Sequence, residues 1–342
     1  FRRLMATTSM LCLALLTLRG VRAVPYAEVV GPVQYDSHAG GLPLYPREAQ
    51  GVWQDGSLYV FGGFVDDEQG RAFQTMTRRS FKYTPVVGSD GELKATGGHW
   101  TELAEMPIEG LTGNTHCGNA GANGKIWLSG GLAVPTGTTW GSDSVSTSFL
   151  LEYDIATDEW TELRSIPYTL GGGGLAYLNG TLHVVSGATD VNEYRANTGE
   201  KPFLYEPEGP IEQDITNHYA YDLVSKKYAK KAPTLIARNH IGVTVFQNQI
   251  YVIGGQFLGF EACTSERVVE VYNAVTDTWT LSEFPLPRGR GHIAGSVAAI
   301  DGHIFITAGS EDNPNKCFPS GIYSSYGYVL VPNVGWVVIE GE

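Results

Sequence analysis

The chain has 342 residues, of which 43 are Gly and 17 are Pro, while only 17% are charged. Glycine at almost twice its usual share of about 7%, with many aromatics and little charge, excludes a disordered chain and argues against a helix bundle. Asp and Glu outnumber Lys and Arg by 36 to 23, and the net charge of −13 disfavours nucleic acid or an anionic membrane as partner.

Residues 1–23 read as a secretory signal peptide. Arg2 and Arg3 precede an apolar stretch at 10–18, and Val21 and Ala23 then stand at the small-residue positions of a cleavage site. The stretch is too short to span a bilayer, which takes about 20 apolar residues, and no later window comes close. A secreted protein with no membrane span is therefore expected. Residues 24–46 read as a closing-strand region, an outer strand running into an inner one.

From residue 47 onward the chain repeats itself. The stretches 52–63, 119–131, 175–187, 243–255 and 297–309 share one plan: two strands around a short polar turn, then a small-residue doublet. The doublet is Gly62-Gly63, Gly130-Gly131 and Gly254-Gly255, degrading to Ser186-Gly187 and Ala308-Gly309. Turns such as Asp55-Gly56 and Asn179-Gly180 suit type I′ hairpins, whose positive φ angles favour Asn, Asp and Gly. A variable stretch follows each pair, then a strand ending in Tyr-Asp or its like, then an aromatic. Those aromatics are Trp100, Trp160, Tyr228, Trp279 and Trp336, spaced about 50 to 70 residues apart, the length of a four-stranded blade.

On the di-glycine, the Tyr-Asp pairs (Tyr153-Asp154, Tyr221-Asp222) and the spaced Trp, residues 47–342 resemble the kelch-repeat family, with secreted propellers like the central domain of galactose oxidase among its members. The resemblance implies an all-β, kelch-type β-propeller of four-stranded blades, at about 47–110, 111–170, 171–235, 236–287 and 288–342. Five complete repeats are visible, and six blades are expected in the full protein. Propellers of this family often close by letting one terminus supply a strand to the other terminus's blade.

In such a blade the strands run a to d from the axis outward, so the b–c connections and the d–a junctions share a face. The b–c connections are long (64–80, 132–148, 188–217, 256–267 and 310–325) and read as lacking regular structure, a combination that points to function. The junctions are polar: Arg47-Glu48, Thr115-His116, Arg238-Asn239-His240 and Arg290-Gly291-His292, with only glycine at 171–174 in the third blade. Arg47, Glu48, His116, Arg238, His240, Arg290 and His292 are thus expected to line one mouth of the central channel, with His218 adding polarity near the third-blade gap. The other reading of the same side chains is that they bond to neighbouring carbonyls and hold the ring. Aromatics of the connections, Phe64, Trp140 and Tyr194 among them, suit the C–H faces of sugars, although about half are expected to pack inward.

The expected function is a secreted binding module that recognises a glycan or an extracellular protein through the long-connection face. The alternative is a metal-independent sugar mutarotase or epimerase using channel Arg, His and Glu. Galactose-oxidase chemistry needs a Tyr-His pair, and His218-Tyr219 has the reverse order. The iron motif of plant specifier proteins needs Glu four residues before Asp214 and His218 four after it, and Pro210 stands in the first place. No cofactor and no metal are expected, there being no CxxC or Cys/His ligand spacing. Cys12 leaves with the signal, Cys263 and Cys317 occupy equivalent connections of adjacent blades and are expected to pair, and Cys117 is expected to stay free and buried. Asn179-Gly180-Thr181 is a glycosylation candidate, although its turn already explains the Asn-Gly pair.

Overall fold

The computed structural model describes residues 46–65, 75–89, 97–138, 145–190, 212–256, 265–307, 309–311, 322–324 and 326–340. These form an all-β propeller, with five antiparallel sheets of four strands each. Blade 1 is Gln50–Gln54, Ser57–Phe61, Ser80–Thr84 and His99–Leu103; blade 2 is Gly118–Ala122, Lys125–Ser129, Leu150–Asp154 and Glu159–Glu162. Blade 3 is Gly174–Leu178, Thr181–Val185, His218–Asp222 and Lys227–Lys230; blade 4 is Gly242–Phe246, Gln249–Ile253, Val269–Asn273 and Thr278–Leu281. Blade 5 is Val297–Ile300, His303–Ile306, Tyr326–Val331 and Gly335–Glu340. Among the described residues no helix is long and apolar enough to cross a membrane.

Burial explains the composition of each strand. The second strands are the most buried, Ser57–Phe61 and His303–Ile306 along their whole length. The outer strands His99–Leu103 and Glu159–Glu162 are largely exposed and correspondingly polar. The apolar core is therefore divided into seams. Phe61 meets Leu128 and Tyr153 between blades 1 and 2, and Trp127 meets Leu182 and Tyr221 between blades 2 and 3. Ala176 and Val185 meet Val252 and Tyr272 in the next seam, and Ile253 meets Ile306 and Tyr328 in the last. The remaining faces of blade 1 (Phe81, Tyr83) and blade 5 (Phe305, Val329) are buried in separate clusters.

Each repeated motif has a physical task. All five first hairpins turn through two residues of positive φ, from Asp55-Gly56 (49° and 74°) to Asp301-Gly302 (46° and 77°). The doublet also takes two positive φ values, and its second N–H donates to the next blade: Gly63 to Asn114 O at 2.8 Å, Gly187 to Arg238 O at 2.7 Å, Gly255 to Arg290 O at 2.8 Å. A Cβ on Gly62, Gly130 or Gly254 would run into the carbonyl of Asn114, Leu170 or Arg290. Where the first residue is Ser186 instead, its Oγ accepts from Arg238 N–H at 3.2 Å and its one O–H points between Arg238 O at 2.8 Å and Ile215 O at 3.0 Å. On the rim, Trp160, Trp279 and Trp336 donate Nε1–H to Ala104 O, Ala232 O and Phe284 O of the preceding blade, at 2.8 to 3.0 Å. Tyr228 takes the same place in blade 3 through its hydroxyl, 2.9 Å from Arg164 O.

The long connections depart from expectation at their bases, which are regular. Phe64–Val65 pairs with Thr75–Met76, Leu132–Pro135 with Val145–Ser146, Ala188–Asp190 with Glu212–Asp214, and Ser310–Glu311 with Ile322–Tyr323. In blade 4 a single bridge, Gln256 to Ser265, does the same. Their runs were too short to carry an alternating pattern that sequence alone reveals.

Candidate functional site

The site is built on one backbone position used five times. Glu48, His116, Gly172, His240 and His292 each stand shortly before an innermost strand, with φ between 52° and 64°. The residue ahead of each is bridged to the residue that follows the doublet: Arg47 to Phe64, Thr115 to Leu132, Gly171 to Ala188, Asn239 to Gln256, Gly291 to Ser310. A bridge followed by a left-handed residue swings the side chain away from the sheet. Repeated around the ring, it brings four of these side chains together.

Glu48 lies at the centre of what they form. Its Oε2 is 2.8 Å from His116 Nε2 and its Oε1 is 3.2 Å from His292 Nδ1, with its side chain 21% exposed. The ring centroids of His116 and His240 are 4.5 Å apart, and those of His240 and His292 are 4.1 Å apart. One donor atom from each of the three imidazoles lies within 4.8 Å of the others. Burial would raise the Glu48 carboxyl, but the charges and hydrogen bonds of His116 and His292 outweigh it and hold Glu48 well below the ordinary carboxylate range. Burial first, and then the neighbouring His292 and His116, push His240 well below the usual imidazole value. The centre therefore presents an ionised carboxylate beside a neutral imidazole.

His240 is also held from behind, by residues the sequence reading did not single out for the purpose. Its Nδ1 bonds Asn239 Oδ1, and Asn239 Nδ2 donates to Asp214 Oδ1 at 2.5 Å. The Nδ1–H donation fixes the tautomer and leaves Nε2 with the lone pair. Asp214 lies deep in the third connection, far from Asn239 in sequence, so nothing local announces their pairing. On the other side, the ring of Phe64 stands edge-on to His116 at 5.9 Å, buried with Met76, Leu132 and Val134 rather than offered to a ligand.

Three expected members are elsewhere. Arg238 is fully buried, its Nη1 donating to Gly254 O at 3.0 Å and Val268 O at 3.1 Å, its Nη2 3.1 Å from Glu270 Oε1. Arg290 is equally buried, with Nη2 2.7 Å from Glu311 Oε1 and Nη1 3.1 Å from Tyr326 O, and its guanidinium lies over the Tyr326 and Tyr328 rings. Both stand two residues before an anchor, where the side chain turns into its own blade instead of toward the axis. His218 lies inside the third strand of blade 3, against His183, Tyr272 and Trp279 in the seam with blade 4. The channel-mouth placement of these three is corrected accordingly. Arg47 is half-buried beside Glu48, with its backbone bridged to Phe64.

Cys117 is buried and in no disulfide. Trp140, Tyr194, Cys263 and Cys317 lie outside the described residues, and so does the expected bridge. Asn179 is exposed in its turn, with Nδ2 donating to Asn248 Oδ1 of the next blade at 3.1 Å.

Comparison with known proteins agrees with the architecture. The Kelch motif profile matches residues 237–281. The chain is 26% identical over 281 residues to Kelch-like protein terF of Aspergillus terreus, covering 80% of this chain and 53% of that protein. It is 25% identical over 224 residues to Kelch-like protein 36 of Mus musculus (65% of this chain, 31% of that protein). It is 24% identical over 219 residues to Beta-scruin of Limulus polyphemus (64% and 20%). The chain thus spans about half or less of the length of these relatives. A solved structure described as that of YjhT superposes with a TM-score of 0.58 at 16% identity, covering 86% of this chain and 84% of that one, a likeness of fold.

Proposed function

Because the chain is a kelch-repeat β-propeller, we propose that it is an extracellular binding module whose partner, a protein or a glycan, docks on the face bearing the long connections. The observation that carries this reading is the fivefold bridge between anchor and connection, which ties the five long connections to the side chains gathered near the axis. A partner centred on that face meets Glu48, ionised and partly exposed, a good acceptor for sugar hydroxyls or for a cationic side chain. Kelch domains mediate protein–protein interactions, which puts a protein first and a glycan second. The extracellular setting rests on the signal-like residues 1–23.

The enzymatic alternative, sugar mutarotation without a metal, has fewer groups to work with than the sequence suggests. Arg238 and Arg290 are committed to Glu270 and Glu311, so proton movement would fall to Glu48 with His116 and His292.

Arrays of glycans and of extracellular proteins, probed with the wild-type chain and with Glu48→Gln, test the reading. Specific binding by the wild type, weakened about tenfold in the variant at an unchanged melting temperature, is the expected outcome. No binding on either array, or binding indifferent to the substitution, removes it. Anomer exchange of a monosaccharide accelerated by the wild type alone would favour the alternative.

A further inference from the structure

We propose that His116, His240 and His292, with the Glu48 carboxylate beside two of them, hold one divalent transition-metal ion of the zinc class at the centre of the long-connection face. The inference goes beyond the binding-module reading and does not rest on it.

The donor set is the first argument. Three imidazoles and one carboxylate are the borderline nitrogen and oxygen ligands that zinc and its neighbours prefer, rather than the all-oxygen shells of calcium or magnesium. They come from four blades, 1, 2, 4 and 5, so no short-range spacing in the sequence shows them. Their geometry is the second. The imidazole donor atoms lie within 4.8 Å of one another. A tetrahedral zinc with Zn–N bonds of about 2.1 Å holds its nitrogens about 3.4 Å apart. Since 4.8 Å is the outer limit of their spread, binding requires the nitrogens to draw together by no more than about 1.4 Å. Glu48 already bridges His116 Nε2 and His292 Nδ1, one carboxylate oxygen to each. A cation entering there takes the place of the protons those nitrogens share with the carboxylate.

The third argument is the support behind His240. A metal-ligating histidine usually donates its other ring N–H to a carbonyl or carboxylate, which sets its tautomer and aim. Here Nδ1 is engaged by Asn239 Oδ1, and Asn239 is oriented in turn by Asp214, so Nε2 is the atom left to ligate. The fourth is conformational. Three histidines and a glutamate adopt left-handed backbone, a conformation that such side chains rarely take. Packing alone would be served as well by glycine, as Gly172 serves at the same place in blade 3.

The full chain, stripped with a chelator and desalted after equilibration with zinc, should retain one equivalent by elemental analysis. Titration with cobalt(II) should give the intense visible bands of four-coordinate nitrogen–oxygen ligation. His240→Gln, and separately the pair His116→Gln with His292→Gln, should abolish stoichiometric uptake. Asn239→Ala should keep the stoichiometry and weaken affinity about 10- to 100-fold. His99→Ala, an exposed histidine on the outer strand of blade 1, should change neither. If the ligand variants fail to fold, the wild-type cobalt spectrum and its change in Asn239→Ala decide. Absence of stoichiometric zinc or cobalt in the wild type, a six-coordinate spectrum typical of loose surface binding, or an equal loss in His99→Ala overturns the proposal.

Discussion

His183 and His218 share one hydrogen bond deep in the seam between blades 3 and 4, and the proton count of that bond makes stability depend on pH. His218 Nδ1 donates to Ala232 O at 3.1 Å, so its Nε2 accepts from His183 Nδ1 at 2.8 Å, and both rings are neutral. Burial lowers His218 to about 3, with help from His183; burial lowers His183 to about 4, with help from Lys231, and Asp277 opposes both shifts. Both folded values lie below the unfolded value of about 6.5, so on acidification the unfolded chain binds protons first. The contribution is complete above that unfolded value and drains away as pH falls toward the folded ones. At pH 5 the loss is about 2 kcal/mol per imidazole. Urea midpoints should therefore fall steeply between pH 7 and 5, and His183→Leu with His218→Phe should flatten the profile; an unchanged slope would refute the assignment. A second residue-scale expectation concerns Arg238. Replacing it alone by Met strands Glu270 in the interior, at about 3 to 5 kcal/mol, whereas Arg238→Met with Glu270→Leu should recover part of that loss in chemical denaturation. Equal destabilisation by single and double variants would count against the pair. Nothing local in RNHIG reveals that its first side chain meets a carboxylate in a strand further along.

At the scale of elements, the doublet decides how closely two blades approach. At Gly130 a side chain would strike Leu170 O at a φ of 59°, whereas at Ser186 (φ 52°) the hydroxyl turns the same approach into two hydrogen bonds. Gly130→Ala should therefore cost more than Ser186→Ala, which forfeits about 1 kcal/mol for its lost hydrogen bonds. Thermal melts of the two variants measure the order, and a milder effect at Gly130 would contradict this account of the seam. These elements were legible in the sequence because their causes are local. Asp55-Gly56 makes its own turn, Gly62-Gly63 its own doublet, and Trp160, Trp279 and Trp336 mark the rim at regular intervals. The short strand pairs at the base of the long connections were not legible, since they are set by the anchors they bridge.

For the whole molecule, the ring assembles what the sequence keeps apart. The polar junctions could be read as a set, and Glu48, His116, His240 and His292 do meet. Their mutual distances could not be read, because they depend on how four blades are stacked, and neither could the turning of Arg238 and Arg290 into their own blades. Zinc looked unattractive for the same reason: a ligand spacing was sought along the chain, whereas these donors are neighbours only around the axis. His218 shows the reverse error. It reads as polarity for the third-blade gap, yet it opens the third strand of blade 3, where burial between blades sets its chemistry.

Among the described residues blade 3 contributes no side chain to the central group, and that blank spot acts as a compass. A ring of like repeats would offer an arriving molecule several indistinguishable bearings. Here one bearing is marked by an acid at Glu48, three by imidazoles, and one by bare backbone at Gly172. A partner that docked along the axis, as proposed above, would meet a different group at each bearing and so could be held in a single rotational setting. The blank is also self-protecting, because a Cβ at Gly172 would come 2.9 Å from His240 N and press on the very imidazole beside it.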